Sequence, residues 1–321
     1  METVRVGGRK YSDPDVISLI KATGSLVDPR SSVLSQARAL LDRLADWDEV
    51  PADAIGRLTI LASLAGIAVQ PMDIERQRKE KRDAILLTTE SKRIVAYNPQ
   101  RPRARVAFTI AHEITHTFFP NSTKGARFRS ICESNSREAN ELERLCDLGA
   151  SEILMPLKNF QRHAGDRFSL QKVEELSQAF GSSFEATVFR LATAHPGKAM
   201  SGLLRYRLSL PEQRKAVQRH QPSLFGEQRD GSTEATRPKY RRQSIHLSEP
   251  CEEYLTVRWN KSFDETSCVY EAGRNGGIHS AREVLPNGTS MTGRLEAVRA
   301  PYQREDAHSD FGDVLFFWSA D

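Results

Sequence analysis

The sequence predicts an α+β protein: a mainly helical N-terminal part with a small β-sheet, followed by a small mixed α/β domain. Three observations support this class. Apolar residues recur at three- and four-residue intervals over most of residues 14–70. Two short runs rich in branched residues, AILLTTE and RIVAYNP, then predict a β-hairpin. Beyond residue 200, the runs LLRYRLSL, EYLTVRW, SCVYEA, RLEAVRAPY and VLFFWS predict strands.

The helices of the first part follow from their spacing and their end signals. AIGRLTILASLAGIAV predicts one apolar, buried helix. A second helical pattern runs from about Arg103 through Phe119 and stops at Pro120. A third runs from about Ser136 to Leu154 and ends before a proline. FSLQKVEELSQAFGSSFEATVFRLATAH then predicts a helix, a Gly-Ser turn and a second helix, which is the outline of a helix-turn-helix.

These patterns suggest four parts along the chain. Residues 1–75 form an N-terminal helical part and residues 76–160 the core of the first domain. Residues 161–199 form the helix-turn-helix-like segment, and residues 200–321 the C-terminal domain. Within that last part, residues 220–243 are polar and rich in Gly, Pro and Ser, which predicts a linker or loop.

Composition excludes some classes of protein. The 321 residues are 39% hydrophobic and 27% charged, as expected for a globular protein. No stretch approaches the roughly 18 apolar residues of a membrane span. The N-terminus lacks the apolar core of a signal peptide, so a cytoplasmic location is expected.

Two stretches carry most of the positive charge. Residues 76–105 hold ten Lys/Arg against three Asp/Glu, and residues 205–243 hold ten against four. Such stretches either form a solvated surface or meet an acidic partner such as nucleic acid.

The strongest chemical signal is AHEITHTFF. On a helix, His112 and His116 face the same way and can bind one metal ion, while Glu113 lies about 100° around the helix, near that ion. This is the HExxH arrangement, in which two histidines bind Zn²⁺ and the glutamate is the general base of peptide hydrolysis. The alternative is a pair of histidines that simply pack on a half-buried helix.

A third ligand must come from downstream. One class of HExxH enzyme needs glycine at 119 and histidine at 122, where this chain has Phe119 and Ser122. The other class needs a glutamate on a second helix. In ELERLCDLGASEILMP, Glu143 and Asp147 are four residues apart and share a face, so one can bind the metal while the other orients a ligand histidine. Spacing alone leaves three competitors open: Glu138, Glu141 and Glu152.

Two cysteines lie near these residues in sequence. Cys132 falls between the two ligand helices and, as a thiolate, could fill a fourth zinc position and keep an enzyme latent; the alternative is an ordinary loop cysteine. Cys146 is expected to pack in the core. For the group that stabilises an oxyanion, Tyr97 and His163 are candidates between which the sequence does not choose.

At this point the chain resembles the ImmA/IrrE metallo-endopeptidases. RIVAYNPQRPRARVAFTIAHEITHTFF is similar to the family's Y-N-P strand end, following Arg and F-T-x-A-H-E-x-x-H helix. ELERLCDLGASEILMP is similar to its second ligand helix, except that Cys146 and Gly149 replace the usual alanine and phenylalanine. The resemblance covers about residues 84–195. It implies a zincin-like domain in which His112, His116 and Glu143 bind zinc and Asp147 lies behind a ligand.

The resemblance also implies a biological role. Members of the family cleave a repressor of the XRE helix-turn-helix type and so relieve repression, often after DNA damage. Some lie in anti-phage operons and respond to single-stranded DNA, and some carry a GAF-like sensor after the protease. Single-stranded DNA would then meet the basic stretches 76–105 and 205–243.

A second class of function competes with the protease. In this alternative the protein is a DNA-binding regulator with a structural or vestigial zinc site, and the second helix of the segment 161–199 reads DNA. Its run SFEATVFRL offers one Arg and no Asn, Gln or Lys for base edges, which disfavours this reading.

Overall fold

The computed structural model of the chain describes residues 2–24, 27–44, 47, 53–74, 83–88, 92–120, 137–214, 237–252, 261–285, 291–302 and 310–320. The chain divides into two compact units: Met1–His163 with Glu175–Ser183, and Ala164–Glu174 with Phe184–Asp321. The predicted α+β class is confirmed, with a mainly helical first part and a sheet-rich second part. The finer division into four parts stays a prediction.

The first unit begins with a short hairpin of β1 (Val4–Val6) and β2 (Arg9–Tyr11). Three helices follow: α1 (Pro14–Thr23), α2 (Pro29–Leu41) and α3 (Ala54–Leu64). An aspartate precedes each helix and accepts backbone N–H bonds from its first turn; these caps are Asp13, Asp28 and Asp53. Such caps satisfy donors that a helix start would otherwise leave without a partner.

The prediction that AIGRLTILASLAGIAV forms one helix, through Val69, is wrong. Gly66 adopts φ 72°, the left-handed conformation that commonly ends a helix. The chain then runs extended as β3 (Ile67–Pro71).

The predicted hairpin is confirmed as β4 (Ala84–Thr88) and β5 (Arg93–Tyr97), which pair antiparallel. β5 also pairs with β3, in parallel, so the strand order is β3-β5-β4. The central strand buries Val95 and Ala96. The chain continues from this sheet into the helices that carry most of the candidate site residues.

Those helices are α4 (Arg103–His116), α5 (Arg137–Leu154) and α6 (Leu157–Ala164). α5 packs on both α4 and α2. The apolar residues between them, among them Val33, Leu142 and Cys146, are almost completely buried. A 3₁₀ turn (Leu170–Lys172), α7 (Val173–Phe180) and α8 (Phe184–Thr193) follow.

The second unit is built on a five-stranded antiparallel sheet of order β7-β6-β10-β9-β8. Its strands are β6 (Ala199–Arg207), β7 (Lys239–Leu247), β8 (Ile278–Val284), β9 (Thr292–Arg299) and β10 (Val314–Ala320). Phe316 and Trp318 point to one face, where they join the core with α10 (Cys268–Asn275); the short α9 (Glu249–Glu252) contacts β6 and β7. α8 packs on the opposite face, where Phe189 stacks on His246 at 4.0 Å.

Two predictions for this unit are wrong. SCVYEA lies mostly in helix α10, because Ser267 caps its start and Gly276, at φ 70°, ends it. The predicted linker 220–243 is wrong at its end, because residues 239–243 lie in β7; residues 220–236 lie outside the described residues. The predicted strand EYLTVRW lies outside the described residues.

Candidate metal centre

The turn between β5 and α4 fixes where the histidine helix begins. Asn98 is 3% exposed, and its side chain accepts the N–H of Gln100 at 3.0 Å, as in an Asx turn. Asp83, at the start of β4, accepts hydrogen bonds or ion pairs from Arg105 at 2.5 Å and Arg101 at 2.9 Å. Asn98 and Arg105, which belong to the motif that resembles the family, therefore hold the start of α4 against the sheet.

His112 and His116 lie on one face of α4, one turn apart. Their Nε2 atoms are 3.1 Å apart, and their rings meet edge to face with centroids at 4.9 Å. The two side chains are 13% and 14% exposed. Both rings thus direct the same nitrogen toward one partly open point.

α5 brings two carboxylates to these histidines. Glu143 Oε2 lies 3.1 Å from His112 Nε2, and its Oε1 lies 3.9 Å from His116 Nε2. Asp147 Oδ1 lies 2.9 Å from Nδ1, the other ring nitrogen of His112. Glu143 therefore lies on the side to which both Nε2 atoms point, whereas Asp147 contacts the opposite nitrogen of the His112 ring.

Two of the competing carboxylates are engaged elsewhere. Glu141 accepts the backbone N–H groups of Ser12 and Asp13, at 3.0 and 3.3 Å. Glu152 is 2% exposed and pairs with Arg38 at 3.1 Å. The side chain of Glu138 lies outside the described residues. The rotation of α5 about its axis, which the sequence does not reveal, decides among these groups.

The donor set fits a zinc ion. In a tetrahedral site with metal–nitrogen bonds of about 2.0–2.1 Å, neighbouring ligand atoms stand about 3.3 Å apart. The separations among His112 Nε2, His116 Nε2 and the Glu143 carboxylate are 3.1, 3.1 and 3.9 Å. Three protein ligands of this kind leave a fourth position for a water or a substrate.

Without a metal, the charges of this cluster act on His112. Burial of the ring disfavours its charged form, but hydrogen bonds with Asp147 and Glu143 outweigh burial and raise the pKa of His112 from 6.5 to about 10. The charge of Glu113 acts in the same direction. In the metal-free protein at neutral pH, His112 is therefore protonated.

Cys146 packs in the core as expected, and it also contacts a histidine of the site, which the sequence did not reveal. Its side chain is completely buried, and its Sγ lies 3.4 Å from His116 Nδ1. Among the described residues, His112, His116 and Cys146 also form a group close enough to hold a metal ion, with ligand atoms within 4.8 Å of one another. The signal that could have found it is spacing, since Glu143, Cys146 and Asp147 stand at i, i+3 and i+4 on α5.

The remaining described candidates lie on α4, at the end of β5 and on α6. Glu113 is half-buried on α4. Tyr97 ends β5, where its carbonyl accepts the N–H of Met72 at 2.8 Å. His163 is exposed and packs edge-on to Phe180 with centroids at 5.4 Å. Cys132 lies outside the described residues.

Close packing of α4 on α5 holds the two halves of the cluster together. A Cβ atom built on Gly149 would lie 2.4 Å from Thr115 Cγ2 and 2.9 Å from Val33 Cγ1. Real Cβ atoms do not approach so closely, so only glycine fits here without movement. Thr115 directly precedes His116, and the missing side chain at Gly149 thus lets α5 reach the histidine helix.

A family model matches the part of the chain that contains this cluster. Residues 62–192 match the IrrE N-terminal-like domain of a peptidase family, a range that contains both α4 and α5. The resemblance of this part of the chain to the ImmA/IrrE family is therefore confirmed.

A solved structure extends the comparison to most of the chain. The chain is similar in fold to a Mycobacterium tuberculosis transcriptional regulator, with a TM-score of 0.51, 12% identity and coverage of 95% of this chain and 81% of that one. No match was found among the curated proteins. In the part of the chain that the structure describes, no helix has the length and apolar character needed to cross a membrane.

Proposed function

We propose that the protein is a zinc-dependent endopeptidase that cleaves a partner repressor of the XRE helix-turn-helix type. The observation that carries the proposal is the convergence of His112 Nε2, His116 Nε2 and Glu143 within 3.1–3.9 Å of one another. A domain of a peptidase family spans these residues. The repressor as substrate comes from the family resemblance.

Each residue has a role in peptide hydrolysis. His112, His116 and Glu143 hold the metal, which when bound lowers the pKa of a water and polarises the scissile carbonyl. Glu113 takes a proton from the attacking water and delivers it to the leaving amine. Asp147 accepts the Nδ1 proton of His112 and so fixes which nitrogen of that ring faces the metal. Tyr97 and His163 remain the candidates for oxyanion stabilisation.

The decisive experiment separates metal binding from cleavage. The full chain is loaded with zinc and incubated with a helix-turn-helix protein encoded beside it, and cleavage is followed on a gel. Glu113→Gln removes the general base but leaves the ligands, so zinc content should stay at one per chain while cleavage falls by at least about 100-fold. Cleavage unchanged in Glu113→Gln would refute the proposal.

The rival reading as a DNA-binding regulator gains little from the structure. The arginine that α8 offers for base contacts, Arg190, is 4% exposed. One face of α8 is committed to the sheet through Phe189 and His246. Under this rival, Glu113→Gln would leave regulation intact, so the same variant discriminates the two functions.

The signal that turns on cleavage is part of the proposal. We place it in the C-terminal unit, as a GAF-like sensor, and take DNA damage or phage infection as its source. Single-stranded DNA is the proposed activator through the stretches 76–105 and 205–243. Several of their basic side chains already pair with carboxylates, for example Arg105 with Asp83 and Arg241 with Glu212. If single-stranded DNA neither binds at moderate salt nor stimulates cleavage, this activator is wrong.

Latency through Cys132 is a separate proposal that rests on its position between the two ligand helices in the sequence. A thiolate in the fourth zinc position would displace water. Cys132→Ala should then raise cleavage in the absence of any activator. Equal basal rates in the variant and the natural protein would rule this out.

A further inference from the structure

The two metal-facing histidines have different partners on their outer nitrogens. His112 Nδ1 lies 2.9 Å from Asp147 Oδ1, and His116 Nδ1 lies 3.4 Å from Cys146 Sγ. The two partners are consecutive residues on α5. Cys146 is completely buried, so the contact lies away from solvent.

A histidine that binds metal through Nε2 carries its proton on Nδ1, and that proton needs an acceptor. For His112 the acceptor is a carboxylate. We propose that for His116 it is the Cys146 sulfur, which makes Cys146 a positioning residue that fixes the tautomer and the tilt of the His116 ring. This inference rests on the metal site of the proposed function.

The geometry favours positioning over direct ligation. The Nε2 edge of His116 faces His112 Nε2 at 3.1 Å, whereas the sulfur lies against the Nδ1 edge. Sulfur and Glu143 are thus on different edges of the same ring. For Cys146 to bind the ion together with His116, the ring would have to offer its other nitrogen.

The two histidines differ in the strength of the group that accepts their Nδ1 proton. A thiol sulfur is a weak acceptor, while a carboxylate is a strong one. The contact on Nδ1 of His116 is therefore the weaker of these two contacts. Because the resembling family has alanine at the position of Cys146, this support for His116 is a departure of this chain from that pattern.

The test measures metal affinity, not cleavage. Zinc is titrated against a chelator on the full chain carrying Cys146→Ala, Cys146→Ser or, as a control for loss of a buried thiol, Cys251→Ala. Loss of such a support behind a ligand typically weakens metal binding about 10- to 100-fold. We expect that loss for Cys146→Ala, a smaller one for Cys146→Ser because the hydroxyl also accepts, and none for Cys251→Ala.

A second measurement guards against misfolding. In the zinc-loaded natural protein, nitrogen NMR of labelled histidine should show His116 protonated at Nδ1, and the Co²⁺-loaded protein should show no thiolate charge-transfer band that Cys146→Ala removes. Affinity equal in Cys146→Ala and Cys251→Ala would overturn the inference. So would a thiolate band that disappears in Cys146→Ala, because Cys146 would then be a ligand. Zinc binding without cleavage would refute the proposed function but would not refute the role of Cys146.

Discussion

At the scale of single residues, His112 connects the two helices of the site through both nitrogens of its ring. Its Nδ1 meets Asp147, and its Nε2 meets both Glu143 and His116. In the metal-free protein these contacts hold a positive charge between two carboxylates. His112 must lose the proton on its Nε2 before that nitrogen can bind a metal ion.

The stability of the metal-free protein should therefore depend on pH. Since the pKa of His112 is raised from 6.5 to about 10 in the folded state, its charge stabilises the fold fully below pH 6.5. This contribution is lost as the pH rises from 6.5 toward 10. Urea unfolding in the presence of a chelator should show a midpoint that falls over this range.

Asp147→Asn provides the control for this pH dependence. The variant keeps the shape of the side chain but removes the charge that the hydrogen bond at 2.9 Å brings to His112. Its urea midpoint should change less between pH 6.5 and 10 than that of the natural protein. An equally steep fall in both proteins would show that other groups cause it.

At the scale of elements, the site depends on how closely α4 and α5 approach. Gly149 allows that approach at Thr115, which itself donates its hydroxyl to the Ala111 carbonyl at 2.9 Å. The contact lies one residue from His116 on one helix and two from Asp147 on the other. A change in the distance between α4 and α5 at this contact would therefore displace the proposed metal ligands.

Gly149→Ala should separate the helices. Overpacking of this kind costs about 1–3 kcal/mol of unfolding free energy. We also expect weaker zinc binding, measured by chelator competition. Adding Thr115→Ser, which removes the methyl that the new Cβ meets at 2.4 Å, should recover part of both losses. A Gly149→Ala protein with unchanged stability and zinc affinity would contradict this account.

Much of the first unit could be predicted from local sequence. The β4–β5 hairpin and the helices α4 and α5 follow from periodicity and prolines, and the spacing of His112 and His116 puts them on one face whatever surrounds them. Spacing alone does not favour Glu143 over Glu141 or Glu152, since that depends on which face of α5 meets α4. The expectation of Glu143 came from the family resemblance.

The errors have identifiable physical causes. The apolar spacing of AIGRLTILASLAGIAV continues across Gly66, so the pattern hides the helix end that the glycine conformation creates. SCVYEA is rich in strand-forming residues, but packing against the sheet makes it a helix. β8 was missed because it is an edge strand whose residues are half-buried or exposed throughout, which leaves no apolar alternation to detect.

At the scale of the whole molecule, the two units interleave along the chain. Residues 164–174 belong to the second unit although residues 175–183 belong to the first. The reason lies in Glu296 of β9, which is 2% exposed. It accepts the Ser169 hydroxyl at 2.8 Å and the Leu170 N–H at 2.6 Å. A domain boundary near residue 200, predicted from the sequence, does not include hydrogen bonds between residues so far apart in the chain.

Glu296→Ala should detach this segment from the sheet of the second unit. It leaves a buried hydroxyl and a buried N–H without their acceptor, which costs about 1–3 kcal/mol. Glu271→Ala is the matched control, because Glu271 is 66% exposed and its pair with His279 contributes little. Denaturant unfolding that affects both variants equally would refute this role.

The proposed metal ligands lie on two helices that are separated in the chain by residues 117–136, and this has a thermodynamic consequence. A metal bound by His116 and Glu143 would act as a reversible crosslink that closes a loop of about 26 residues, and so would oppose the entropy of the unfolded chain. At a free zinc concentration 100 times the dissociation constant, binding adds about 2.7 kcal/mol to the unfolding free energy. Zinc supply would then govern the survival of the protein against cellular proteolysis as well as its activity.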